Sequence, residues 1–236
     1  MIKTHIYTQF DDELSRLNSN VFAMGELVGQ QLIAAVSALS EDNHSLADEV
    51  QAVEKKINDL EMTLDDECQH MLATRQPAAG DLRFILSVSR IARDLERAGD
   101  EANKIAKLAE NVHLTFRPFQ DDRLKALALD VNKQLKRALG AFRDVDIESA
   151  LDVIKGDRAV DKFYGDGIRD TIKMMQQNPD HIDVIMDKIW ALRSIERIGD
   201  HAINIAEQVI YYKLGRDVRH ESANSIAEQI DSIDNE

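Results

Sequence analysis

The sequence predicts an all-α protein in which six long antiparallel helices form two tandem three-helix bundles, related by an internal repeat with approximate two-fold symmetry. The composition is typical of helical proteins, because 44% of the 236 residues are apolar, only 5% are aromatic and three are proline. Apolar residues recur every three or four positions over long segments, which is the pattern of amphipathic helices. Matching motifs about one hundred residues apart indicate a duplicated unit.

Six segments carry the helical periodicity, and prolines mark the breaks between them. Pro77 and Pro179 precede the third and sixth segments, where a missing backbone N–H costs little, and Pro118 separates the two halves. The predicted helices are Asp12–Leu39, Ser45–Ala73, Asp81–Asn111, Asp121–Asp144, Glu148–Gln176 and His181–Lys213.

The pattern divides the chain into three regions. The first repeat is expected to span residues 1–116, and the second repeat residues 117–214. Residues 215–236 form an acidic tail, either disordered or a docking segment, in which Ile226 and Ile230 indicate one more weak amphipathic stretch.

The charge balance restricts the partners. The chain has 43 acidic and 29 basic residues and a net charge of −14. We therefore expect neither nucleic-acid binding nor unassisted docking on anionic lipid, because both surfaces repel a negative protein. Cations and basic protein surfaces are the expected partners, and membrane association is expected only through partner proteins.

Several features predict a soluble protein of the cytoplasm. Cys68 is the only cysteine, so no disulfide forms within the chain, as is usual in a reducing compartment. The first residues contain no apolar stretch of the secretory type. The charge-free run Leu27–Ser40 has 14 residues, which is shorter than the roughly 20 that a transmembrane helix needs.

A charged pentapeptide, E-R-x-G-D, occurs twice. It places Glu96 and Asp100 in the third predicted helix, and Glu196 and Asp200 in the sixth. Residues four apart on a helix face the same way, so each copy puts two like charges together at a cost of a few tenths of a kcal/mol. The glycine within each copy costs about 1 kcal/mol more in a helix. Paired carboxylates beside a glycine suit a cation held by oxygen ligands.

The second predicted helix of each repeat supplies matching residues. Glu54 and Asn58 align with Asp157 and Asp161 at an offset of 103. Because neighbouring helices in a bundle pack side by side, we expect one acidic cluster per repeat. The candidate metal ligands are Glu54, Glu96, Asp100, Asp157, Asp161, Glu196 and Asp200.

Two alternatives stay open at this point. In the first, nearby arginines neutralise the carboxylates as ordinary surface ion pairs, and the protein is a structural helical adaptor. In the second, the protein is a metal-handling or metal-dependent carboxylate-bridged enzyme on a helical bundle. Such enzymes use paired Glu-x-x-His units, whereas Glu67–His70 has a counterpart only at Glu41–His44, in a predicted helix break. We find no motif that indicates catalysis and expect no enzyme.

The chain resembles the PhoU family. The resemblance rests on the twin E-R-x-G-D helices, the loop "RQPAAGDLR", the opening "FDDEL…VFAMGELVGQQL" and the stretch "VEKKINDLE", and it covers residue 1 to about residue 212.

The resemblance implies a cytoplasmic, often dimeric protein that negatively regulates phosphate uptake and the phosphate-starvation response. Its implied partners are the ATPase component of the phosphate ABC transporter and a PhoR-type sensor histidine kinase. Some family members hold metal ions on E(D)-x-x-x-D motifs, so the cofactor that the resemblance implies is a divalent or transition metal ion (Fe, Zn, Mn, Ni or Mg). Asn58 departs from the motif and predicts weaker metal binding in the first repeat.

Overall fold

A computed structural model describes residues 8–110, 118–119, 122–219 and 221–234. Within these ranges the chain is all-α, with seven α-helices and a short 3₁₀ turn at Pro179–His181. The helices are α1 (Thr8–Glu41), α2 (His44–Arg75), α3 (Ala79–Glu110), α4 (Asp122–Asp144), α5 (Ile147–Gln177), α6 (Ile182–Leu214) and α7 (Ala223–Asp234).

The predicted helices agree with α1 to α6 to within four residues at each end that the structure describes. The predicted count of six is not confirmed, because α7 adds a seventh helix in the tail. The predicted helix ends at Asn111 and Asp121 lie outside the described residues, as does the expected boundary between residues 116 and 117. The division into domains therefore stays a prediction.

The helices pack as two groups of three that share one core. α1, α2 and α3 contact one another, as do α4, α5 and α6. The groups meet where α3 lies against α6 and α1 against α4. The buried apolar side chains of both groups form one continuous cluster. Burial of this cluster is the main stabilising term, at roughly 25 cal/mol per Å² of apolar surface.

The turns that open α2 and α5 have the same construction. The side chains of Asn43 and Asp146 each accept a hydrogen bond from a first-turn backbone N–H at 3.1 Å, which is worth about 1 kcal/mol per helix. The preceding residues, Asp42 and Val145, both have left-handed backbone with φ of 56° and 54°. The internal repeat is therefore visible in the backbone conformation, because the same turn geometry recurs 103 residues later.

Aromatic side chains join the two groups at one end. The rings of Phe84 in α3 and Phe142 in α4 stack with centroids 5.7 Å apart, and Tyr212 in α6 packs against both. Aromatic pairs at such distances contribute about 0.5–1.5 kcal/mol each beyond the burial of their surface. Arg83 adds a hydrogen bond from its Nε to the Tyr212 carbonyl at 3.0 Å.

By length and composition, α1 is apolar enough to cross a membrane, and it is the one such helix in the described part of the chain. More than half of its most apolar window is buried inside the protein, against α2, α3 and α4. Core helices of soluble proteins pass the same test. In the tail, α7 packs on α5, and its Ile226 is buried.

Candidate cation-binding clusters

The first carboxylate cluster consists of Glu54 on α2 and Glu96 and Asp100 on α3. Glu54 is only 7% exposed, and the carboxyl groups of Asp100 and Glu96 lie near enough to affect its pKa. Burial raises the pKa of Glu54, Gln31 opposes this by hydrogen bonding, and the negative charges of the other two carboxylates raise it further. The pKa of Glu96 is raised by burial first and then by Asp100.

The second carboxylate cluster consists of Asp157 and Asp161 on α5 and Glu196 and Asp200 on α6. Burial, with the negative charges of Asp161 and Asp200, raises the pKa of Asp157 to about 6. Burial and the charge of Asp200 raise the pKa of Glu196, and partial desolvation, opposed by the positive charge of Arg193, raises that of the more exposed Asp200. The structure thus brings all seven predicted ligands into two groups, each across a helix pair.

The carboxylates of the clusters are almost unpaired. In the part of the chain that the structure describes, the one ion pair made by any of the seven is between Arg193 and Glu196, at 2.7 Å. Arg197 and Lys104, which an ordinary surface-pair interpretation assigns to the clusters, instead bind Glu101 at 2.8 and 2.9 Å. Like charges held together without compensation are destabilising and favour a bound cation.

Buried oxygens that lack a hydrogen-bond partner indicate whether the clusters could bind a cation. Buried side-chain oxygens without a hydrogen-bond partner include one each on Glu54, Asn58 and Gln31 beside the first cluster, and one each on Glu196 and Gln134 beside the second. Such groups are costly unless something binds them. Within the described ranges, however, no three His, Cys, Asp or Glu side chains are already arranged around a common metal position. The unsatisfied oxygens are donors of the kind that cations bind, and the side chains would have to move closer together to coordinate one.

Two glutamines support the clusters, and the motif-based prediction missed them. Gln31 donates a hydrogen bond from Nε2 to Glu54 at 2.7 Å and lies 3.4 Å from the Val50 carbonyl. Gln134 donates to the Val153 carbonyl at 3.2 Å. The dipeptide Gln-Leu occurs at residues 31–32 and again at 134–135, the same offset of 103. That recurrence is the signal that reveals them.

The contact with a glutamine explains the first motif glycine but not the second. A Cβ on Gly99 would lie 3.2 Å from both Gln31 Oε1 and Glu54 Oε2. At Gly199 the nearest atom, Gln134 Oε1, is 3.5 Å away, an ordinary contact distance. A close approach of neighbouring side chains is therefore present at Gly99 and relaxed at Gly199.

The other candidate chemistry is structural. Cys68 is 2% exposed, and burial raises the pKa of its thiol to about 12, so it is not a nucleophile at neutral pH. Glu67 forms an ion pair with Arg16 at 3.0 Å. Neither residue joins the carboxylate clusters.

The fold and clusters define a class of protein: a duplicated helical bundle with one carboxylate cluster in each repeat. The family model described as PhoU domain matches the chain twice, over residues 21–109 and 124–209, once in each repeat. The chain belongs to the PhoU family.

Related proteins match over nearly their whole length. A phosphate-specific transport system accessory protein PhoU homolog from Pseudomonas aeruginosa is 42% identical over 97% of this chain and 95% of its own. The accessory protein PhoU of Escherichia coli (strain K12) is 34% identical over 93% and 91%.

Solved structures share the fold. The crystal structure of PhoU from P. aeruginosa matches 88% of this chain and 100% of its own, with a TM-score of 0.81 and 42% identity. That of the phosphate transport system regulatory protein PhoU from Streptococcus pneumoniae matches 89% and 99%, with a TM-score of 0.82 and 25% identity.

Proposed function

We propose that this protein is a cytoplasmic negative regulator of phosphate uptake and of the phosphate-starvation response. It acts as an adaptor between the ATPase component of the phosphate transporter and a PhoR-type sensor histidine kinase. The observation that carries the proposal is the pair of carboxylate clusters, one per repeat, on a chain of net charge −14. The names of its relatives, which are accessory and regulatory proteins of phosphate transport, support the same role.

Two similar clusters on one rigid core suit an adaptor. Among the residues that the structure describes, the one ion pair made by these carboxylates is that between Glu196 and Arg193. Basic surfaces on two partners provide the compensating charge, and complementary charge gives specificity and fast association. We expect the protein to act as a homodimer, which would double the number of clusters available.

The clusters also bind divalent or transition metal ions in this proposal. Glu54, Glu96 and Asp100 would hold a metal in the first repeat, and Asp157, Asp161, Glu196 and Asp200 in the second. The bound ion supplies positive charge that cancels repulsion and fixes the facing helices. The second cluster is expected to bind more tightly, because Asp161 supplies a carboxylate where the first repeat has the Asn58 amide.

Metal binding is tested by elemental analysis. The protein would be purified without a polyhistidine tag, stripped of metal and reconstituted with Fe, Zn, Mn, Ni or Mg. We expect stoichiometric metal that Glu196→Gln/Asp200→Asn lowers by about half. The variant Asp130→Asn, on an exposed residue of α4, is the matched control and should keep full occupancy. Wild-type protein that stays metal-free under all five conditions would refute this part.

The adaptor role is tested by binding to each partner. Biolayer interferometry would measure the affinity for the purified transporter ATPase and for the cytoplasmic part of the kinase. We expect the fourfold change of Glu96, Asp100, Glu196 and Asp200 to Ala to weaken binding at least tenfold. Unchanged affinity for both partners in that variant would exclude the acidic faces as the contact surface.

A further inference from the structure

The line where α3 meets α6, here called the seam, is built from equivalent residues of the two repeats. The helices run antiparallel, so Asp94 meets His201 at 2.9 Å, and the Ser194 hydroxyl donates to Glu101 at 2.9 Å. Residues 94 and 194 are equivalent in the repeat, as are 101 and 201. The two ends of the seam can therefore be compared residue by residue.

At one end, polar side chains close the seam. Arg90 donates a hydrogen bond to Gln208 Oε1 at 3.2 Å and lies over the Tyr211 ring, 4.7 Å from its centroid. Asn204 donates to Asp94 at 3.0 Å. Each of these side chains bridges the seam or covers a neighbour, so polar contacts fill the positions that correspond to Trp190 and Leu108.

At the other end, the equivalents of Arg90 and Gln208 are Trp190 and Leu108. They line a groove of about 440 Å³ together with polar side chains. Trp190 is the only tryptophan of the chain and is 58% exposed. It continues a line of exposed apolar residues at Ile182 and Met186 on α6. Residues at i, i+4 and i+8 form a stripe about two helical turns long.

The rim of this groove is basic. Lys104, Arg193 and Arg197 line it and are each about half exposed. Glu101 lies buried at the base and is satisfied by Lys104, Arg197 and Ser194. Among the residues that line the groove and Glu196, which binds Arg193, three cations face two carboxylates. The surrounding protein is strongly negative.

We infer that this groove docks an acidic amphipathic helix of a protein partner. An apolar side chain of that helix covers Trp190, and its carboxylates bind Lys104, Arg193 and Arg197. Tryptophan and arginine are the residue types that carry most binding energy in protein interfaces, and a helix in an apolar groove is a common mode of recognition. The inference rests on the proposed adaptor function for the existence of a protein partner.

A protein segment fits better than an anionic membrane. The surface is a groove rather than a plane, and Asp100 and Asp200 are exposed on the same two helices. A membrane surface would bring lipid phosphates against those carboxylates, whereas a single helix in the groove avoids them.

The test uses the full chain and the emission of Trp190, which reports on the groove without a label. Acrylamide quenching would first measure its accessibility, and we expect the strong quenching of a solvent-exposed indole. Three helical 18-residue peptides with one leucine stripe would then be titrated, flanked by Glu, Gln or Lys. We expect the Glu peptide to shift the emission to shorter wavelength and to bind at least tenfold more tightly than the Gln peptide, with the difference shrinking in high salt.

Variants assign the binding to the groove. Calorimetry with the Glu peptide should show at least a fivefold loss for Arg193→Gln and a larger loss for Trp190→Ala. Arg93→Gln removes the equivalent arginine of the first repeat and should change affinity less than twofold. Leu129→Ala, at an exposed residue of α4, controls for removal of an apolar side chain, and circular dichroism checks that all variants fold.

Several outcomes would overturn the inference. They are a shielded Trp190 in the free protein, no binding of the Glu peptide, equal binding of all three peptides, and equal losses from Arg193→Gln and Arg93→Gln. An emission shift with vesicles of 30% anionic lipid but not with the peptides would assign the groove to membranes instead. If the protein binds the peptide but neither the transporter ATPase nor the kinase, the adaptor role is refuted and the docking function of the groove stands. If it binds those partners but not the peptide, only the docking function of the groove is refuted.

Discussion

The two motif glycines provide a matched pair of substitutions with opposite expected effects. Replacing a helical glycine by alanine stabilises a helix by about 1 kcal/mol when space allows. At Gly199 the nearest neighbour of the new Cβ is at 3.5 Å, so Gly199→Ala should raise the free energy of unfolding by about 0.5–1 kcal/mol. This variant shows what the substitution does to the helix alone.

At Gly99 the same methyl group meets three atoms at 3.2–3.3 Å, on Gln31, Glu54 and Ile57. These neighbours are buried, and Gln31 is held by its hydrogen bond to Glu54, so they cannot easily move. Overpacking a core costs about 1–3 kcal/mol, which exceeds the gain in helix propensity. We expect Gly99→Ala to lower the free energy of unfolding by about 0.5–2 kcal/mol.

Urea unfolding of metal-free protein, followed by circular dichroism, would measure both variants against wild type. The decisive quantity is the difference between them, about 1–3 kcal/mol, because effects of the unfolded chain cancel. If Gly99→Ala stabilises the protein as much as Gly199→Ala, the packing of Gln31 and Glu54 against α3 is not as tight as described, and the proposed reason for the first glycine is wrong.

Three further predictions concern pH, metal and a turn. Because the pKa of Asp157 is raised to about 6, the folded state gains protons as pH falls, so the metal-free protein should be more stable at pH 5.5 than at pH 8. The full shift of the Asp157 pKa corresponds to about 3 kcal/mol, but only about 0.8 kcal/mol of it falls between pH 8 and pH 5.5, because the rest is recovered between the folded and the unfolded pKa. Partial solvation reduces the expected difference to about 0.5 kcal/mol. In urea unfolding, Asp157→Asn should remove the contribution of this residue to the pH dependence of the free energy of unfolding. Glu207, whose pKa is raised to about 7 by burial, should still contribute to that dependence. Reconstitution with a bound metal at pH 8 should raise the melting temperature in a thermal scan, and Glu196→Gln/Asp200→Asn should reduce that rise more than Glu96→Gln/Asp100→Asn. Val145→Asn should stabilise the protein by about 1 kcal/mol in urea, because asparagine tolerates the left-handed backbone at φ 54° better than a β-branched residue; no gain would contradict the strain.

The helices and the clusters were predictable because their signals are periodic. Apolar spacing of three and four indicates where each helix runs, and prolines mark three of the five breaks, so α1 to α6 follow from the sequence. The facing of Glu54 toward Glu96 and Asp100 follows from the repeat, since sequential helices in a bundle are neighbours. The tail helix α7 gave a weaker signal, because only a short apolar stripe marks it.

The glutamines beside the clusters and the seam were harder to predict, because they depend on contacts between segments that are distant in the sequence. Gln31 and Gln134 lie on helices outside the motifs, and only their recurrence at the offset of 103 marks them. No local pattern shows that Arg197 binds Glu101 rather than the carboxylates of its own motif. That pairing depends on how α3 crosses α6, which packing decides.

Duplication explains both the symmetry of this protein and the places where it fails. Equivalent residues keep their roles where both copies serve the same purpose, as in the capped turns at Asn43 and Asp146. The two repeats meet along the contact between α3 and α6, and the equivalent residues at its two ends can therefore have different roles. One end stays polar and closed around Arg90, and the other exposes Trp190 beside three cations. A repeat that holds equivalent clusters and one unequal groove has the elements that an adaptor for two different partners requires.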